Sequence, residues 1–435
     1  MRERYGYGCR HPARRGARGR QTRAEATLLD RSPIGIGSAD PVSALTSPDY
    51  AGGCIVNLTA SVLDAFGVDP PNPVCRHLHG DTLRGDGGIV LLICDALGFR
   101  QFETALRSGR TPNLRRLVEL AAGGLQSLTS VFPSTTTVAL TSLNTASTPA
   151  QHGMLGQRQW IEEVGALCNM LRFTTEEAAP AAFSEELVRV VPTVYDRLAV
   201  AGIPSFSISA SEYEGSSFTS LISSGSTYVG YRAQSEISHL LASSIGAAGG
   251  GRGFYSIYWP MIDTLSHLYG PDASDTQEVC LSEMDFIDLM VGKVMEVCER
   301  NGQTLIVTAD HGQTRLAPDR ALTLGGDVAA LLRHPPGGGR RALYLSSQDP
   351  TALASLEVFQ TDDVLLLTAD EAVNRGWYGG DCAPFRARLG DLIALAQSDR
   401  QLLFDYGSGV HLQTGAHAGL SEDEMLVPLV AVPFG

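Results

Sequence analysis

The stretch GGIVLLICD at residues 87–95 decides the fold class of this chain of 435 residues. Two glycines precede an unbroken apolar run, and the run ends at the carboxylate of Asp95. Continuous apolar runs of this length are typical of strands that are buried on both faces of a parallel sheet. We therefore expect a buried strand here, with Asp95 at its carboxyl end.

Helix-like and strand-like segments alternate along the chain on either side of this run. TPNLRRLVELAAGG (111–124) has a capping threonine, a proline at the first helical position and glycines at its end, which predicts a helix. TTTVALTSLNT (135–145) is a second helical candidate. Four further segments are strand-like: LQSLTSVF (125–132), FYSIYW (254–259), TLIVTAD (304–310) and MLVPLVAV (425–432). The alternation predicts an α/β fold with a mostly parallel central sheet.

The segments outside this alternating pattern suggest how the chain is divided. Residues 1–40 carry nine arginines between Arg2 and Arg31 but no apolar segment, which predicts a disordered basic tail. Residues 41–86 are short apolar pieces broken by proline and glycine, and we expect an N-terminal extension that packs on the core. Residues 321–405, which include the loop-like RHPPGGGRR (333–341), form a candidate inserted subdomain. The predicted catalytic core is then 87–320 and 406–435.

Composition excludes several classes of protein. The formal net charge of −14 disfavours a nucleic-acid duplex as partner, because such a partner requires a basic surface. The eight cysteines are scattered without a CxxC pair, so they predict neither a disulfide framework nor a zinc ribbon. No apolar stretch reaches the roughly 18–20 residues of a membrane span. We expect a cytoplasmic protein with reduced thiols.

Residues that can bind metal ions stand at the ends of the predicted strands. Asp95 ends one strand, Asp310 and His311 end another, and Asp263 follows a third by four residues. Ligands of open α/β sheets bind beyond the carboxyl ends of the strands. Asp263 and His267 are four residues apart, so they share one face of a helical turn. Mixed oxygen and nitrogen donors of this kind suit Zn²⁺ or Mn²⁺.

Two further segments add a histidine and a hydroxyl group. His417 lies in GAHAG, where small neighbours allow close approach, although a lone loop histidine is an equally good interpretation. FPSTTT (132–137) places threonines where a strand gives way to a helix, and free N–H groups at a helix start bind phosphate. On its own this pattern fits a helix-capping threonine at least as well as a nucleophile.

Taken together, the segments ICDALG, FPSTTT, DTLSHLYGP, TADHG and GAHAG, in this order, resemble the nucleotide pyrophosphatase/phosphodiesterase branch of the alkaline phosphatase superfamily. The resemblance covers about residues 87–435, with gaps. It implies an alkaline-phosphatase-like three-layer α/β/α sandwich with two zinc ions. One ion would be held by Asp263, His267 and His417. The other would be held by Asp95, Asp310, His311 and the hydroxyl of Thr136.

The resemblance also identifies a nucleophile and a reaction class. The family's Pro-Thr-x-Thr pattern matches Pro133 to Thr136 with one serine replacement, and the spacing to His152 favours Thr136 over Thr135. The implied reaction is hydrolysis of a small-molecule phosphodiester or nucleotide pyrophosphate through a phospho-threonine intermediate. Alternatives are a phosphomonoesterase or phosphonate hydrolase on the same scaffold, or a catalytically silent binding relative.

The sequence departs from the family pattern around the expected substrate. Thr137 replaces an aromatic residue that stacks on a nucleobase. An asparagine that holds a phosphoryl oxygen would fall near Gln157, which is longer but can donate similarly, so Gln157 is a candidate for binding substrate. A monoester would need an additional cation, for which we consider Arg158. Tyr258 and Trp259 closely precede the Asp263 segment and are candidates for lining the substrate pocket.

Overall fold

The structure is a computed structural model that describes residues 45–78, 82–83, 87–176, 183–184, 188, 190–271, 278–407 and 409–435. The predicted tail, 1–40, lies outside the described residues. Of the helices in the described ranges, none is long and apolar enough to cross a membrane. The seven cysteines within these ranges are buried, and none of them forms a disulfide bond with another.

The helices are α1 (Ile55–Ala65), α2 (Phe99–Ser108), α3 (Pro112–Leu120), α4 (Thr136–Thr145), α5 (Pro149–His152), α6 (Val194–Val200), α7 (Ser217–Ile222), α8 (Ile237–Ala247), α9 (Met261–Tyr269), α10 (Glu278–Asn301), α11 (Gly326–Leu331), α12 (Pro350–Ala354), α13 (Ala369–Asn374) and α14 (Glu422–Met425). The strands are β1 (Ile89–Cys94), β2 (Gln126–Thr129), β3 (Arg158–Ile161), β4 (Ala166–Asn169), β5 (Thr174–Thr175), β6 (Ser205–Ala210), β7 (Thr227–Tyr231), β8 (Phe254–Trp259), β9 (Thr304–Thr308), β10 (Thr314–Arg315), β11 (Leu322–Thr323), β12 (Gly337–Gly339), β13 (Ala342–Leu345), β14 (Val364–Thr368), β15 (Leu392–Ala396), β16 (Leu402–Leu403), β17 (Gly415–Ala416) and β18 (Leu426–Pro433).

The central sheet has seven strands in the order β2-β18-β9-β1-β8-β6-β7. Neighbours from β9 to β7 pair in parallel, and β18 runs antiparallel to both β9 and β2. All six residues of β1 are buried, as the apolar run at 89–94 predicted. The α/β class and the mostly parallel sheet are therefore confirmed.

Helices form a layer on each side of this sheet, which gives the three-layer α/β/α sandwich. In one layer α1, α4, α6 and α7 pack together, and in the other α2, α3, α8, α9 and α10 pack together. Within the predicted extension 41–86, α1 is buried except for Asp64 and packs on α4 and α6. This helix therefore contributes to the core.

The connections after the parallel strands meet at one edge of the sheet. β1 is followed by Asp95, β9 by Asp310 and His311, and β8 by α9 with Asp263. β18 runs the opposite way, so its first residues lie at the same edge, where Leu429 pairs with Thr308 at the end of β9. The segment that carries His417 leads into β18 and is thereby brought to this edge.

A second, antiparallel sheet has the order β14-β15-β13-β12-β3-β4-β5. Three of its strands come from residues 158–175, so the predicted subdomain 321–405 leaves out part of this sheet. The loop predicted at 333–341 is also partly wrong, because Gly337–Gly339 forms β12. A side chain on Gly338 would lie 2.2 Å from the carbonyl oxygen of Ala342, so this close strand pairing requires glycine.

A buried ion pair joins the second sheet to the segment that carries His417. Arg341 Nε lies 3.1 Å from Glu424 Oε1, and the two side chains are 2% and 0% exposed. Glu424 also accepts hydrogen bonds from Gly419 N (2.8 Å) and Ser421 Oγ (2.6 Å). These contacts hold residues 419–424 in place beside the sheet edge.

We predict that Glu424→Gln destabilises the protein by about 3–5 kcal/mol at pH 7, because it leaves the charge of Arg341 buried and unpaired. Burial alone would raise the pKa of Glu424, but Arg341 and the hydrogen bonds lower it overall. A lowered folded pKa stabilises above the unfolded value of about 4.3, and the contribution is lost as pH falls through the folded pKa. The difference between wild type and variant in urea denaturation should therefore shrink in acid.

The control is Asp370→Asn, which breaks the exposed pair with Arg386. We expect it to cost less than about 1 kcal/mol. A Glu424→Gln protein as stable as this control at pH 7 would contradict the proposed role of the pair.

Candidate metal centre

Six carboxylate and imidazole side chains meet at the sheet edge in two groups of three. In each group one ligand atom per residue lies within 4.8 Å of the others. The groups are Asp263, His267 and His417, and Asp95, Asp310 and His311. These are the two sets that the resemblance implied.

The spacing within each group suits a bound metal ion. Asp263 Oδ1 lies 3.3 Å from His267 Nε2 and 3.6 Å from His417 Nε2. His311 Nε2 lies 3.5 Å from both Asp95 Oδ1 and Asp310 Oδ2. A tetrahedral zinc ion with bonds of about 2.0–2.1 Å would place its ligands roughly 3.3–3.4 Å apart.

The two groups are immediate neighbours. The rings of His311 and His417 stack with centroids 4.0 Å apart at 21°, and the rings of His267 and His417 are 5.1 Å apart. One substrate phosphate could therefore contact ions at both sites, which is the arrangement used in two-metal hydrolysis of phosphate esters.

Backbone carbonyls fix the orientation of all three histidines. The Nδ1 atoms of His267, His311 and His417 lie 2.8, 3.0 and 2.9 Å from the carbonyl oxygens of Gly415, Gly312 and Ser134. A carbonyl oxygen only accepts hydrogen bonds, so each Nδ1 carries the proton. Each Nε2 is left to face the centre, as histidine ligands of metals require.

The electrostatics of the second group favour a cation. Burial and the neighbouring charge of Asp310 raise the pKa of Asp95, and burial raises that of Asp310 to about 6. Burial lowers the pKa of His311 to about 4. Asp95 Oδ1 and Asp310 Oδ2 are buried without a hydrogen-bond partner. Because unpaired buried carboxylate oxygens are costly, these residues fit a bound metal ion.

The first group has a different charge balance. Burial would raise the pKa of Asp263, but the nearby His267 and His417 lower it overall. Asp263 in turn raises the pKa of His267 against the effect of burial. Burial lowers the pKa of His417 to about 3, so this ring is neutral and able to bind a metal.

Two residues support the ligands in ways that the sequence did not reveal. Gln313 Nε2 donates to Asp263 Oδ1 at 2.6 Å and to the Asp263 carbonyl oxygen at 3.1 Å. Ala96 N donates to Asp310 Oδ1 at 3.1 Å from a left-handed conformation with φ 59°. Gln313 directly follows the TADHG segment, but its partner lies 50 residues away in the chain, so no local pattern could have identified the contact.

Thr136 is the first residue of α4 and faces the second group. Its Oγ1 lies 3.1 Å from His311 Nε2, while Thr135 occupies the N-cap position and is buried. The start of α4 also directs free backbone N–H groups toward this point, where an anion would be stabilised. The geometry favours Thr136 over Thr135 as the hydroxyl that contacts a phosphate.

A cavity of about 350 Å³ opens beside Thr136, Asp95 and Asp263. Apart from the two carboxylates its walls are uncharged, and they carry both apolar groups and hydroxyl groups. The lining includes Leu140, Leu171, Phe218, Ile222, Tyr213, Tyr228 and five serines. No arginine, lysine or histidine is among these lining residues.

Of the four residues predicted to bind substrate, one lines this cavity and three do not. Tyr258 lines the cavity and also donates a hydrogen bond to Asp95 Oδ2. Trp259 does not line it, because its Nε1 donates to Glu283 Oε1 at 2.6 Å. Gln157 and Arg158 do not line it either, since β3 belongs to the second sheet. There, Arg158 Nε lies 3.1 Å from Glu176 Oε1.

Comparison with known proteins places these features in context. Residues 89–417 match the type I phosphodiesterase/nucleotide pyrophosphatase family. A 74-residue stretch is 31% identical to bovine (Bos taurus) bis(5'-adenosyl)-triphosphatase ENPP4, but the stretch spans only 17% of this chain and 16% of that protein.

Two solved structures share the fold. One is murine ectonucleotide pyrophosphatase/phosphodiesterase 5, as an inactive variant in complex with AMP, with a TM-score of 0.60 and 14% identity over 80% of this chain and 88% of that one. The other is phosphonoacetate hydrolase from Sinorhizobium meliloti 1021 in complex with phosphonoformate, with a TM-score of 0.56 and 17% identity over 80% and 90%.

We predict that the purified protein binds two equivalents of Zn²⁺ or Mn²⁺, and that Asp95→Asn and Asp263→Asn each bind one fewer. Elemental analysis measures the content. Chelation should lower the melting temperature, since an ion at 100 times its Kd contributes about 2.7 kcal/mol of stability. Equal metal content in wild type and both variants would contradict the assignment.

We predict that Gln313→Leu weakens binding at the Asp263 site by about 10–100-fold, the range found when partners that orient a ligand are removed. A metal titration of the chelated protein measures this loss. Gln360→Leu, which removes an exposed glutamine bonded to the Ala354 carbonyl, is the control. Unchanged affinity in Gln313→Leu would show that Asp263 does not need this contact.

Proposed function

The chain belongs to the type I phosphodiesterase/nucleotide pyrophosphatase family, a family of metal-dependent phosphoester hydrolases, and from this premise we propose that it cleaves phosphodiester or nucleotide pyrophosphate bonds with Thr136 as nucleophile. The observation that carries the proposal is the position of the Thr136 hydroxyl, 3.1 Å from His311 Nε2 and beside two adjacent ligand groups.

Each group of side chains has a role in this proposal. Asp95, Asp310 and His311, with Thr136, would hold one ion, and Asp263, His267 and His417 would hold the other. Zn²⁺ or Mn²⁺ at these positions would supply Lewis acidity and make hydroxyl groups and water more acidic. Among the side chains, Tyr258 and Gln313 keep Asp95 and Asp263 in position by hydrogen bonds.

The reaction proceeds in two displacements at phosphorus, with Thr136 as the nucleophile in the first and as the leaving group in the second. Its oxygen attacks phosphorus while the bond from phosphorus to the leaving oxygen breaks, which forms a phospho-threonine. Water then attacks the same phosphorus, releases the product and restores the hydroxyl. Free N–H groups at the start of α4, beside Thr136, would stabilise the negative charge that develops on the phosphoryl oxygens.

The cavity beside Thr136 supports a diester over a monoester. A monoester carries a second negative charge on phosphorus, which needs an additional cation, and the cavity lining includes no cationic side chain. Its apolar and hydroxyl-bearing walls suit an uncharged organic group, such as a nucleoside or another ester substituent. Thr137, at the family's aromatic position, is buried and does not line the cavity.

We predict that Thr136→Ala lowers kcat for bis-p-nitrophenyl phosphate by about 10³-fold or more, because removing a covalent nucleophile abolishes the main route. Thr136→Ser should keep part of the activity. Thr135→Ala and Thr137→Ala test the neighbouring hydroxyls, and unchanged metal content would show that the site is intact. Wild type should cleave the diester faster than p-nitrophenyl phosphate.

Other outcomes of this experiment have definite meanings. Loss of activity in Thr135→Ala alone would move the nucleophile by one residue. A preference for p-nitrophenyl phosphate would make the protein a phosphomonoesterase. No hydrolysis of either compound by the metal-loaded wild type would contradict the proposed function.

A further inference from the structure

A second cavity, of about 100 Å³, lies between the second sheet and the segment that leads to His417. Its polar lining is basic, with Arg158, Arg340 and His411, and no acidic residue is among its lining residues. Tyr406 also lines it, and burial raises the pKa of this phenol to about 12, so it carries no negative charge at neutral pH.

The two arginines are brought together at an electrostatic cost. Burial lowers the pKa of Arg340, and the positive charge of Arg158 lowers it further. The Arg158 guanidinium lies over the Tyr406 ring, 4.6 Å from its centroid. Like charges that meet in a partly buried cavity are stabilised by an anion that binds both.

Arg340 is available for such an anion. Among the described residues it has no carboxylate partner, and its side-chain hydrogen bonds run from Nη1 alone, to the His411 carbonyl oxygen at 2.5 Å and Gln401 Oε1 at 3.4 Å. Arg158 differs, because Glu176 already offsets part of its charge. The cavity therefore keeps a net positive charge in a chain whose formal net charge is −14.

Residues that line the cavity are connected through short contacts to the group formed by Asp263, His267 and His417. From His411 the chain runs three residues to Thr414, whose N donates to the His267 carbonyl oxygen at 3.0 Å. Gly339, next to Arg340, is so close to Ala418, next to His417, that an added Cβ would lie 3.3 Å from the Ala418 Cβ. Arg340 is thus connected, through neighbouring residues, to His267 and to His417.

We propose that Arg340, with Arg158, binds an anionic phosphate group on the leaving part of the substrate. The inference rests on the proposed function. The uncharged cavity beside Thr136 then holds the organic group that stays on phosphorus, and the basic cavity holds the departing phosphate. The substrate class becomes a phosphoanhydride, such as a nucleotide pyrophosphate, in preference to a simple diester.

The test compares two substrates that share the transferred thymidylyl group. Thymidine 5'-triphosphate releases pyrophosphate, and p-nitrophenyl thymidine 5'-monophosphate releases an uncharged or singly charged phenol. For metal-loaded Arg340→Gln we expect the ratio of kcat/KM, triphosphate over nitrophenyl ester, to fall by about tenfold or more, as loss of a charged hydrogen bond predicts. Arg340→Lys should restore part of the ratio.

A purely structural role of Arg340 would lower both activities together and leave the ratio unchanged, which would overturn the proposal. Arg386→Gln, which removes an exposed arginine paired with Asp370, is the matched control and should not move the ratio. The proposal would also be overturned if the wild type does not cleave the triphosphate but does cleave the nitrophenyl ester or bis-p-nitrophenyl phosphate. Failure to cleave any of the three compounds would contradict the proposed function itself.

Discussion

Two buried carboxylates, Asp95 and Asp310, impose the main constraint on this structure. Each keeps an oxygen without a hydrogen-bond partner, and the charge of Asp310 raises the cost of ionising Asp95. Burying two ionised carboxylates this close together is costly, so a cation that offsets their charge stabilises the pair. The parallel sheet creates the problem, because β1 and β9 are adjacent and both end at this edge. The histidine ligands and the supporting hydrogen bonds surround this point.

Contacts from several parts of the chain hold His417 in place. The segment 411–420 follows β16, and the buried pair of Arg341 and Glu424 fixes the chain just beyond His417. Ser134 then accepts from His417 through its carbonyl and bonds to Gly419 through its hydroxyl. The same segment that precedes α4, with its proposed nucleophile, therefore also positions His417, a proposed metal ligand. A substitution that disrupts these contacts would therefore change the position of His417.

In our proposal the two cavities bind different parts of one substrate, on either side of the reacting phosphorus atom. The cavity beside Thr136 is uncharged apart from Asp95 and Asp263, and the cavity beside Arg340 is basic. The first is built between the central sheet and its helices, and the second is built from β3, the β12–β13 hairpin and the segment after β16. The catalytic elements and the elements proposed for selecting the leaving group thus come from different sheets, which would let substrate preference change without disturbing the metal ligands.

The sequence by itself determined the α/β class, the buried strand at 89–94 and the residues of both ligand groups, because each is recorded in a short local pattern at the end of a strand. It also placed Thr136 at a helix start. Only the tertiary structure decided which side chains line the cavity beside Thr136. Trp259 is turned toward Glu283, and Arg158 is drawn into the second sheet by its pairing with Gly338, 180 residues away. The positions of Gln313 and Arg340 likewise depend on contacts with segments that are distant in the chain. Contacts between distant segments depend on sheet register and on packing, and these leave no periodic or local signal in the chain.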